Sequence, residues 1–327
     1  MLKRETLEEG RGRALGWHAK SAKQIPSRGH GRNGPPLPNA KRHGVLRSSI
    51  HKRKKLDPGS KITKEQYLLL KVLWEIEYPC TRAALGLNLG DFPDQARVWL
   101  ATFQPLQAYL HTINDDKTPG SSDIGIFEIP REQQRQVCEL LRRPVSKGLQ
   151  SLNEEIVNSS LLSFLTAVCK KHPNVKARWT PQRASLTAKF REAHTECLLD
   201  GFLASETTSQ TQVIIEAKAG RRKRHSPEVF MQEAAELVAA LVTGTPKGLT
   251  EDRGFLISQD GDELYITNAY VPDKYIAIMR DQDKNAITKN DFLKIRECGP
   301  WKIDKREDIE DFAGLVLAIA LQASAEN

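Results

Sequence analysis

Apolar residues recur with helical spacing through the middle of the chain. They lie three or four positions apart over residues 67–76 and 95–113, and a shorter pattern of the same kind covers 131–142. Such spacing places the apolar side chains on one face of a helix. The polar stretch 115–122 contains a Pro-Gly pair and predicts a loop. We therefore expect residues 61–150 to form a helical segment that packs on the rest of the protein.

After residue 150 the pattern changes to helices alternating with short strands. This order predicts an α/β domain over residues 151–327, built as a mixed sheet flanked by helices. The predicted elements are helix 153–172, strands 185–190, 196–203 and 212–219, helix 226–242, strands 255–258, 263–271 and 275–279, and helix 306–323.

The first 60 residues differ in composition from the rest of the chain. They contain 15 Lys or Arg and 4 Asp or Glu, a charge of +11, whereas the whole chain of 327 residues carries +8. They hold few large apolar side chains, so they cannot bury enough surface to offset the entropy lost on ordering. We expect a disordered basic tail over residues 1–60. The basic run 51–55 is either a nuclear-import signal, with an import receptor as partner, or a solvated charge run.

The remaining composition favours an intracellular protein and, with the basic tail, a nuclear one. The five cysteines are dispersed without a CxxC pair, which argues against a disulfide framework or a structural zinc site and favours a reducing compartment. The longest apolar run, 312–321, is shorter than the roughly 20 residues that a membrane helix needs. No secretion signal is visible at the N-terminus. We therefore expect no membrane partner.

One predicted strand carries charge at its end. Residues 213–218 read Val-Ile-Ile-Glu-Ala-Lys, and side chains along a strand alternate between its two faces. Glu216 and Lys218 therefore share one face, while the other face is apolar and suits burial. Asp200 lies in the preceding predicted strand, directly before Gly201, which permits a bend. It comes close to Glu216 if the two strands pair as a hairpin.

These carboxylates define a candidate metal site. Asp200 and Glu216, with a backbone carbonyl, offer the hard oxygen ligands that Mg²⁺ prefers, and Mn²⁺ is the alternative ion. A bound divalent ion lowers the pKa of its water and stabilises charge on a phosphoryl oxygen. Lys218 can hold or activate the attacking water, or offset charge on the phosphate. This set predicts phosphodiester hydrolysis, although Glu-x-Lys on a strand also occurs as an exposed cross-strand charge pair.

Asp200, the tripeptide 216–218 and Gln232 together resemble the D…(D/E)-x-K…Q pattern of PD-(D/E)XK nucleases. The order of predicted elements is also similar to the αβββαβ core of that restriction-endonuclease-like fold, and more narrowly to nuclease-like domains found widely in fungal proteins. The Pro of the motif's name is absent, since Leu199 precedes Asp200. The resemblance covers roughly residues 150–325. The similar stretches are 153–157, 199–201, 214–218, 230–237 and 299–301.

The resemblance implies a role for each matching residue. Asp200 and Glu216 would be metal ligands, and Lys218 would be the catalytic lysine. Gln232 would support the site from its helix. Some proteins with this fold bind without cutting. Two functions therefore stay open, a Mg²⁺-dependent nuclease and a non-catalytic nucleic-acid-binding or scaffold protein.

Two further groups of charged residues accompany the motif. Glu154 or Glu155 would match the helix-borne acid that some members of the family use, and the sequence does not choose between them. A basic loop follows Lys218 and is predicted to contact phosphates, with a second import cluster or a solvated turn as the alternatives. We expect nucleic acid as the partner, with DNA favoured over RNA. The residues of the loop are Arg221, Arg222, Lys223 and Arg224.

Overall fold

A mixed seven-stranded sheet forms the centre of the protein. The computed structural model describes residues 49–77, 87–113, 124–142, 153–207, 211–243, 253–283 and 288–325. The strands in these ranges are β1 (Val72–Glu77), β2 (Ala177–Thr180), β3 (Ala184–Phe190), β4 (Ala193–Leu199), β5 (Gly201–Ser205), β6 (Thr211–Lys218), β7 (Arg253–Asp260), β8 (Glu263–Tyr270) and β9 (Leu293–Lys302). The sheet order is β1-β9-β8-β7-β6-β5-β2. The pairs β1–β9 and β6–β7 are parallel and the others antiparallel, while β3 and β4 form a separate antiparallel hairpin.

Helices pack on both faces of this sheet, which confirms the predicted α/β class with a mixed sheet flanked by helices. The helices of the described ranges are α1 (Lys64–Leu69), α2 (Phe92–Thr102), α3 (Gln104–Ile113), α4 (Glu128–Arg142), α5 (Glu154–Cys169), α6 (Glu228–Thr243), α7 (Asp273–Met279) and α8 (Arg306–Ala325). Val213, Ile215 and Ala217 of β6 share one apolar cluster with α5 and α8, whereas Ile214 packs in a second cluster with α6. The alternation predicted for this strand is therefore confirmed.

Helix α6 lies between the sheet and the β3–β4 hairpin. Its apolar residues share one cluster with Leu186 of β3 and Ile214 of β6. A helix buried on nearly all sides is expected to be apolar all round. Three polar residues in its middle turns, Gln232, Glu233 and Glu236, are exceptions. These three residues place polar side chains between the sheet and the β3–β4 hairpin.

Residues 67–76 are not one helix, contrary to the prediction. Helix α1 ends before Lys71, which adopts a left-handed conformation with φ of 55°, and β1 begins at Val72. Apolar residues are buried in both elements, so their spacing alone did not separate a helix from a strand. The helix predicted over 131–142 is confirmed by α4, whereas the single helix predicted over 95–113 is two helices, α2 and α3, interrupted at Phe103. The predicted loop 115–122 lies outside the described residues.

Residues 49–60 belong to the folded part, which corrects the predicted boundary of the basic tail. Ile50 and Leu56 are buried in the apolar cluster that also contains the residues of α6. This short segment therefore supplies enough apolar surface to pack on the fold. His51 Nε2 lies 2.8 Å from the carbonyl oxygen of Ile278. The predicted disorder of residues 1–48 lies outside the described residues, and the nuclear-import function of 51–55 stays a prediction.

The C-terminal half follows the predicted order with four differences, one of which is that the strand predicted over 196–203 is divided into β4 and β5. Helices α5, α6 and α8 occur where they were predicted. Residues 275–279, predicted as a strand, belong to α7, which buries Tyr275 and Met279 one helical turn apart. Strands β2 and β9 were not predicted. Within the described residues, no disulfide joins Cys138, Cys169, Cys197 or Cys298. No helix in the described part of the chain is long and apolar enough to cross a membrane.

Candidate functional site

Asp200 lies at a break between β4 and β5, where the sequence had predicted one strand over 196–203. Its N–H donates to the carbonyl of Ile215 at 3.2 Å, and its Oδ2 accepts a bond from the N–H of Ala217 at 3.0 Å. Asn158 of α5 donates its side-chain amide to the carbonyl of Asp200 at 2.9 Å. These bonds hold the Asp200 carboxylate beside the residue that follows Glu216. Burial raises the pKa of Asp200 above its ordinary value.

Glu216 is almost fully buried, with 1% of its surface exposed. Its Oε1 accepts hydrogen bonds from Lys218 Nζ and, at 2.6 Å, from Gln232 Nε2. Its Oε2 is buried and has no hydrogen-bond partner among the described residues. Burial, with the charge of Asp200 in support, raises the pKa of Glu216. One oxygen of this carboxylate is thus fixed by two donors, and the other accepts no hydrogen bond from the described residues.

Lys218 sits between carboxylates at the end of β6. Its Nζ contacts Glu216 and lies 3.6 Å from Oε1 of Glu154, in the first turn of α5. Burial alone would lower the pKa of Lys218, but Glu216 and Glu154 raise it above the ordinary value. Lys218 is therefore a protonated donor and not a base. Asn153 caps α5 with its side chain. Glu154 and Glu155 are both exposed, and of the two it is Glu154 that lies near Lys218.

Three residues that contact Gln232 or Asp200 were not identified from the sequence: Glu236, Asn158 and Arg183. Gln232 Nε2 also donates, at 2.8 Å, to Oε1 of Glu236, a buried residue one turn along α6. Asn158 lies one turn after Glu154 on α5. Arg183 Nη2 lies 3.9 Å from Asp200 Oδ1. Glu236 lies four positions after Gln232, and Asn158 lies four positions after Glu154. Positions four apart share a helix face, so this spacing could have indicated both residues.

The oxygens of this cluster fit a hard divalent cation. Glu216 Oε2 is a buried, unpartnered carboxylate oxygen, and Asp200 Oδ1 has only the distant Arg183 beside it. The described residues contain no group of three or more His, Cys, Asp or Glu arranged to hold a metal. Mg²⁺ is commonly bound by one or two carboxylates and several waters. Asp200 and Glu216 are the two carboxylates that could contribute ligands of this kind, and they do not supply the four protein ligands of a structural zinc site.

Arg222 is buried, which corrects its prediction as a phosphate contact. Only 4% of it is exposed, and its guanidinium donates to three carboxylates and one hydroxyl. The ring of Tyr265 lies 4.0 Å from Arg222 Cζ, and Trp74 of β1 donates to Glu297 at 3.3 Å. Three carboxylates around one guanidinium leave excess negative charge, and burial raises the pKa of Asp260. We call Arg222, Glu233, Ser258, Asp260 and Glu297 the Arg222 network.

The other three residues of the basic loop have different environments. Arg221 donates from Nε and Nη2 to Asp262, each at 2.7 Å, so one edge of its guanidinium is already paired with a carboxylate. Lys223 and Arg224 are exposed, and their contact with phosphate stays a prediction. The loop as a whole is thus less available to nucleic acid than its composition indicated.

The cluster formed by Asp200, Glu216, Lys218 and Gln232 comes from three separate parts of the chain. It occupies the break between β4 and β5, the end of β6 and the buried helix α6. No family model matches the chain, and no curated protein matches it either. The functional interpretation of the cluster therefore depends on its geometry and chemistry.

Proposed function

We propose that the protein is a Mg²⁺- or Mn²⁺-dependent nuclease of the PD-(D/E)XK type, with DNA as the favoured substrate. The observation that carries the proposal is the convergence of Asp200, Glu216, Lys218 and Gln232 around a buried carboxylate oxygen that has no partner among the described residues. A protonated lysine between carboxylates, at the end of a strand, is suited to a substrate that carries phosphate.

The order of elements supports the same family. Helix α5 is followed by β2, β5 and β6, in which β5 lies between the other two and pairs antiparallel with each. Helix α6 then leads to β7, which lies parallel to β6. This succession corresponds to the αβββαβ order that the resemblance implies, with the β3–β4 hairpin inserted between β2 and β5.

Each side chain has a role that its contacts allow. Asp200 and Glu216 would hold the ion, which when bound lowers the pKa of a water and stabilises charge on the phosphoryl group. Gln232 and Lys218 fix one oxygen of Glu216, which leaves the other available. Lys218 is kept protonated by Glu216 and Glu154, so it donates to a phosphate oxygen or to the attacking water and offsets negative charge.

The second candidate is a non-catalytic nucleic-acid-binding or scaffold protein that retains the fold. One observation favours it. Lys218 and Gln232 both donate to Glu216, so the cluster satisfies most of its own hydrogen bonds without a substrate. Such a protein would bind nucleic acid with a strong salt dependence and would leave the strands intact.

A cleavage assay on labelled single- and double-stranded DNA and RNA separates the two candidates. We expect cutting in Mg²⁺ or Mn²⁺, no cutting in EDTA, and a loss of about a hundredfold or more in Glu216→Gln and Lys218→Ala. Glu192→Gln and Lys189→Ala change exposed residues of the β3–β4 hairpin and serve as matched controls. Circular dichroism checks that all four variants fold.

A titration with Mn²⁺ tests the metal site independently of cutting. We expect heat of binding with the wild type and its loss in Asp200→Asn, with Glu192→Gln unchanged. Nucleic-acid binding without cutting by the wild type under any metal condition would support the second candidate. Cutting that persists in Glu216→Gln would remove this cluster from the mechanism.

A further inference from the structure

We propose that a cavity beside α4 is a second phosphate-binding site, which holds a backbone phosphate of the same nucleic acid at a distance from the catalytic cluster. The inference rests on the proposed function for the identity of the polymer. The cavity has a volume of about 260 Å³. It is lined by Arg131, Arg135, Arg142, Ile113, Cys138, Glu139 and Asp304.

The three arginines form one stripe of α4. Arg135 follows Arg131 by four positions and Arg142 follows Arg135 by seven, and both intervals return a side chain to nearly the same face of a helix. All three side chains line the cavity. A guanidinium carries five N–H donors in a planar fork that matches the oxygens of a phosphate.

The donors of these arginines are weakly engaged. Arg135 lies 3.5 Å from Glu132 and 3.7 Å from Glu139, and both contacts are exposed. Arg142 lies 3.6 Å from Asp304. Arg131 makes one short bond, at 2.6 Å, to the carbonyl of Thr112. Exposed ion pairs of this length contribute little free energy, so a phosphate can displace them.

The charge of the lining favours an anion. Three guanidinium groups and two carboxylates line the cavity, and Glu132 pairs with Arg135 from outside this lining. Burial raises the pKa of the Cys138 thiol to about 11, so that it adds no negative charge at neutral pH. A larger cavity, of about 370 Å³, has the opposite balance, with one arginine against three carboxylates. Its charged lining residues are Arg97, Glu307, Glu310 and Asp311. The cavity on α4 is thus the better place for a phosphate of the two.

The end of α4 is joined to the catalytic strand through one turn. A Cβ placed on Gly261 would lie 3.3 Å from Leu141 Cδ1, so α4 packs directly on this glycine. The N–H of Gly261 donates to the carbonyl of Lys218 at 2.9 Å. A polymer with a phosphate at every nucleotide can therefore reach both the cluster at Lys218 and the arginines of α4, whereas a free nucleoside phosphate fills only one of them.

Fluorescence anisotropy with short labelled DNA duplexes and DNA and RNA single strands, in EDTA, tests the site without cutting. We expect the triple variant Arg131→Gln, Arg135→Gln, Arg142→Gln to bind at least about tenfold more weakly at moderate salt. The slope of log affinity against log salt should fall by about 1 for each phosphate that the variant no longer binds. Arg191→Gln is the matched control, because Arg191 and Arg135 are equally exposed, at 57% and 54%, and each pairs with a carboxylate.

Further outcomes distinguish a polymer phosphate from a small-molecule phosphate, and distinguish failure of this binding site from failure of the proposed catalysis. Direct binding of ATP or pyrophosphate that is lost in the triple variant, together with no oligonucleotide binding by the wild type, would overturn the polymer site. Equal affinity and salt slope in the triple and control variants would also overturn it, and the nuclease would stand if the wild type still cuts. Weaker binding in the triple variant supports the site, even if neither the wild type nor Glu216→Gln cuts, in which case only the proposed catalysis fails.

Discussion

Arg221 and Arg222 are neighbours in the sequence and occupy opposite environments. Arg221 is half exposed and pairs with Asp262, whereas Arg222 is enclosed by the carboxylates of the Arg222 network. Nothing in a run of four basic residues shows which one turns inward. The burial follows from long-range placement, because the carboxylates come from α6, β7 and β9. A sequence pattern of one or two residues cannot contain that information.

Replacement of Arg222 by Met should destabilise the protein strongly. It leaves three buried carboxylates without their counter-charge, and removal of one partner from a buried ion pair costs about 3–5 kcal/mol. The same substitution at Arg221 should cost about 1 kcal/mol or less, because half of that side chain is exposed. Urea unfolding at neutral pH measures both. Equal losses in the two variants would contradict the structural role of the Arg222 network.

The contribution of Asp262 to the free energy of unfolding should depend on pH in the acid range. Burial acts to raise the pKa of Asp262, but Arg221 and Lys302 together lower it below the ordinary value. The folded pKa is therefore below the unfolded one, so the carboxylate stabilises the protein above about pH 4 and loses its effect as pH falls through the folded pKa. We expect Asp262→Asn to be less stable by about 1 kcal/mol at neutral pH.

The check is urea unfolding of the wild type and Asp262→Asn across the acid range. Their difference in unfolding free energy should narrow below about pH 4. Asp304→Asn, at an exposed carboxylate with only a loose contact to Arg142, is the control and should differ little from the wild type. A difference that is constant with pH would mean that the Asp262 carboxylate is not selectively stabilised in the folded state.

The site itself was partly predictable at this scale. Strand parity placed Glu216 and Lys218 on one face, and the adjacent strand end brought Asp200 near them, because both inferences use only local geometry. The sequence did not show that Lys218 is held protonated by Glu154, since that contact joins residues 64 positions apart in the chain. Nor did it indicate Arg183, which reaches Asp200 from the segment before β3.

At the scale of elements, the break between β4 and β5 fixes the position of Asp200. Gly201 opens β5 in a tight space, where a Cβ would lie 2.7 Å from the carbonyl oxygen of Thr180 and 3.4 Å from Leu162. The first atom is backbone and cannot rotate away. A side chain at this position must therefore displace the β2–β5 pairing, and the neighbouring Asp200 with it.

Two glycine substitutions should change stability in opposite directions. Gly201→Ala should cost about 1–3 kcal/mol, the usual penalty of overpacking, and should also weaken metal binding by moving Asp200. Gly314→Ala lies in α8 with no atom within 4 Å of the added Cβ, and should stabilise by about 0.5–1 kcal/mol. Thermal unfolding and Mn²⁺ titration measure the two effects. A stabilised Gly201→Ala would contradict the tight approach to Thr180.

Helices and strands were predictable where the local apolar pattern was strong and belonged to a single element. Helices α6 and α8 are long and almost wholly apolar on the buried side, so their positions were evident. The run 67–76 contained parts of two elements with buried apolar residues, and two residues separate them, Leu70 and the left-handed Lys71. Strand β9 alternates buried with half-buried residues over most of its length, and four of its ten residues are charged. Its position between β1 and β8 comes from pairing with those two strands, which no local pattern shows.

At the scale of the molecule, the N-terminal part is built into the sheet and is not only packed against it. Strand β1 pairs in parallel with β9 along its whole length, and Trp74 of β1 donates to Glu297 of the Arg222 network. Tyr275 donates its hydroxyl to the carbonyl of Leu70 at 2.6 Å. Residues of α2, α3 and α4 lie in the same apolar cluster as α5 and α8.

A fragment that begins at residue 150 should therefore not fold to the native state. It lacks β1 and leaves the apolar faces of α5 and α8 uncovered, so we expect weak near-UV circular dichroism, binding of a hydrophobic dye and no cooperative unfolding. A chain that begins at residue 49 keeps every described contact and is the matched control, with unfolding as cooperative as that of the full chain. Cooperative unfolding of the shorter fragment, together with native Mn²⁺ binding, would mean that residues 151–327 are a domain in their own right, with β1 and α2–α4 as an accessory to it.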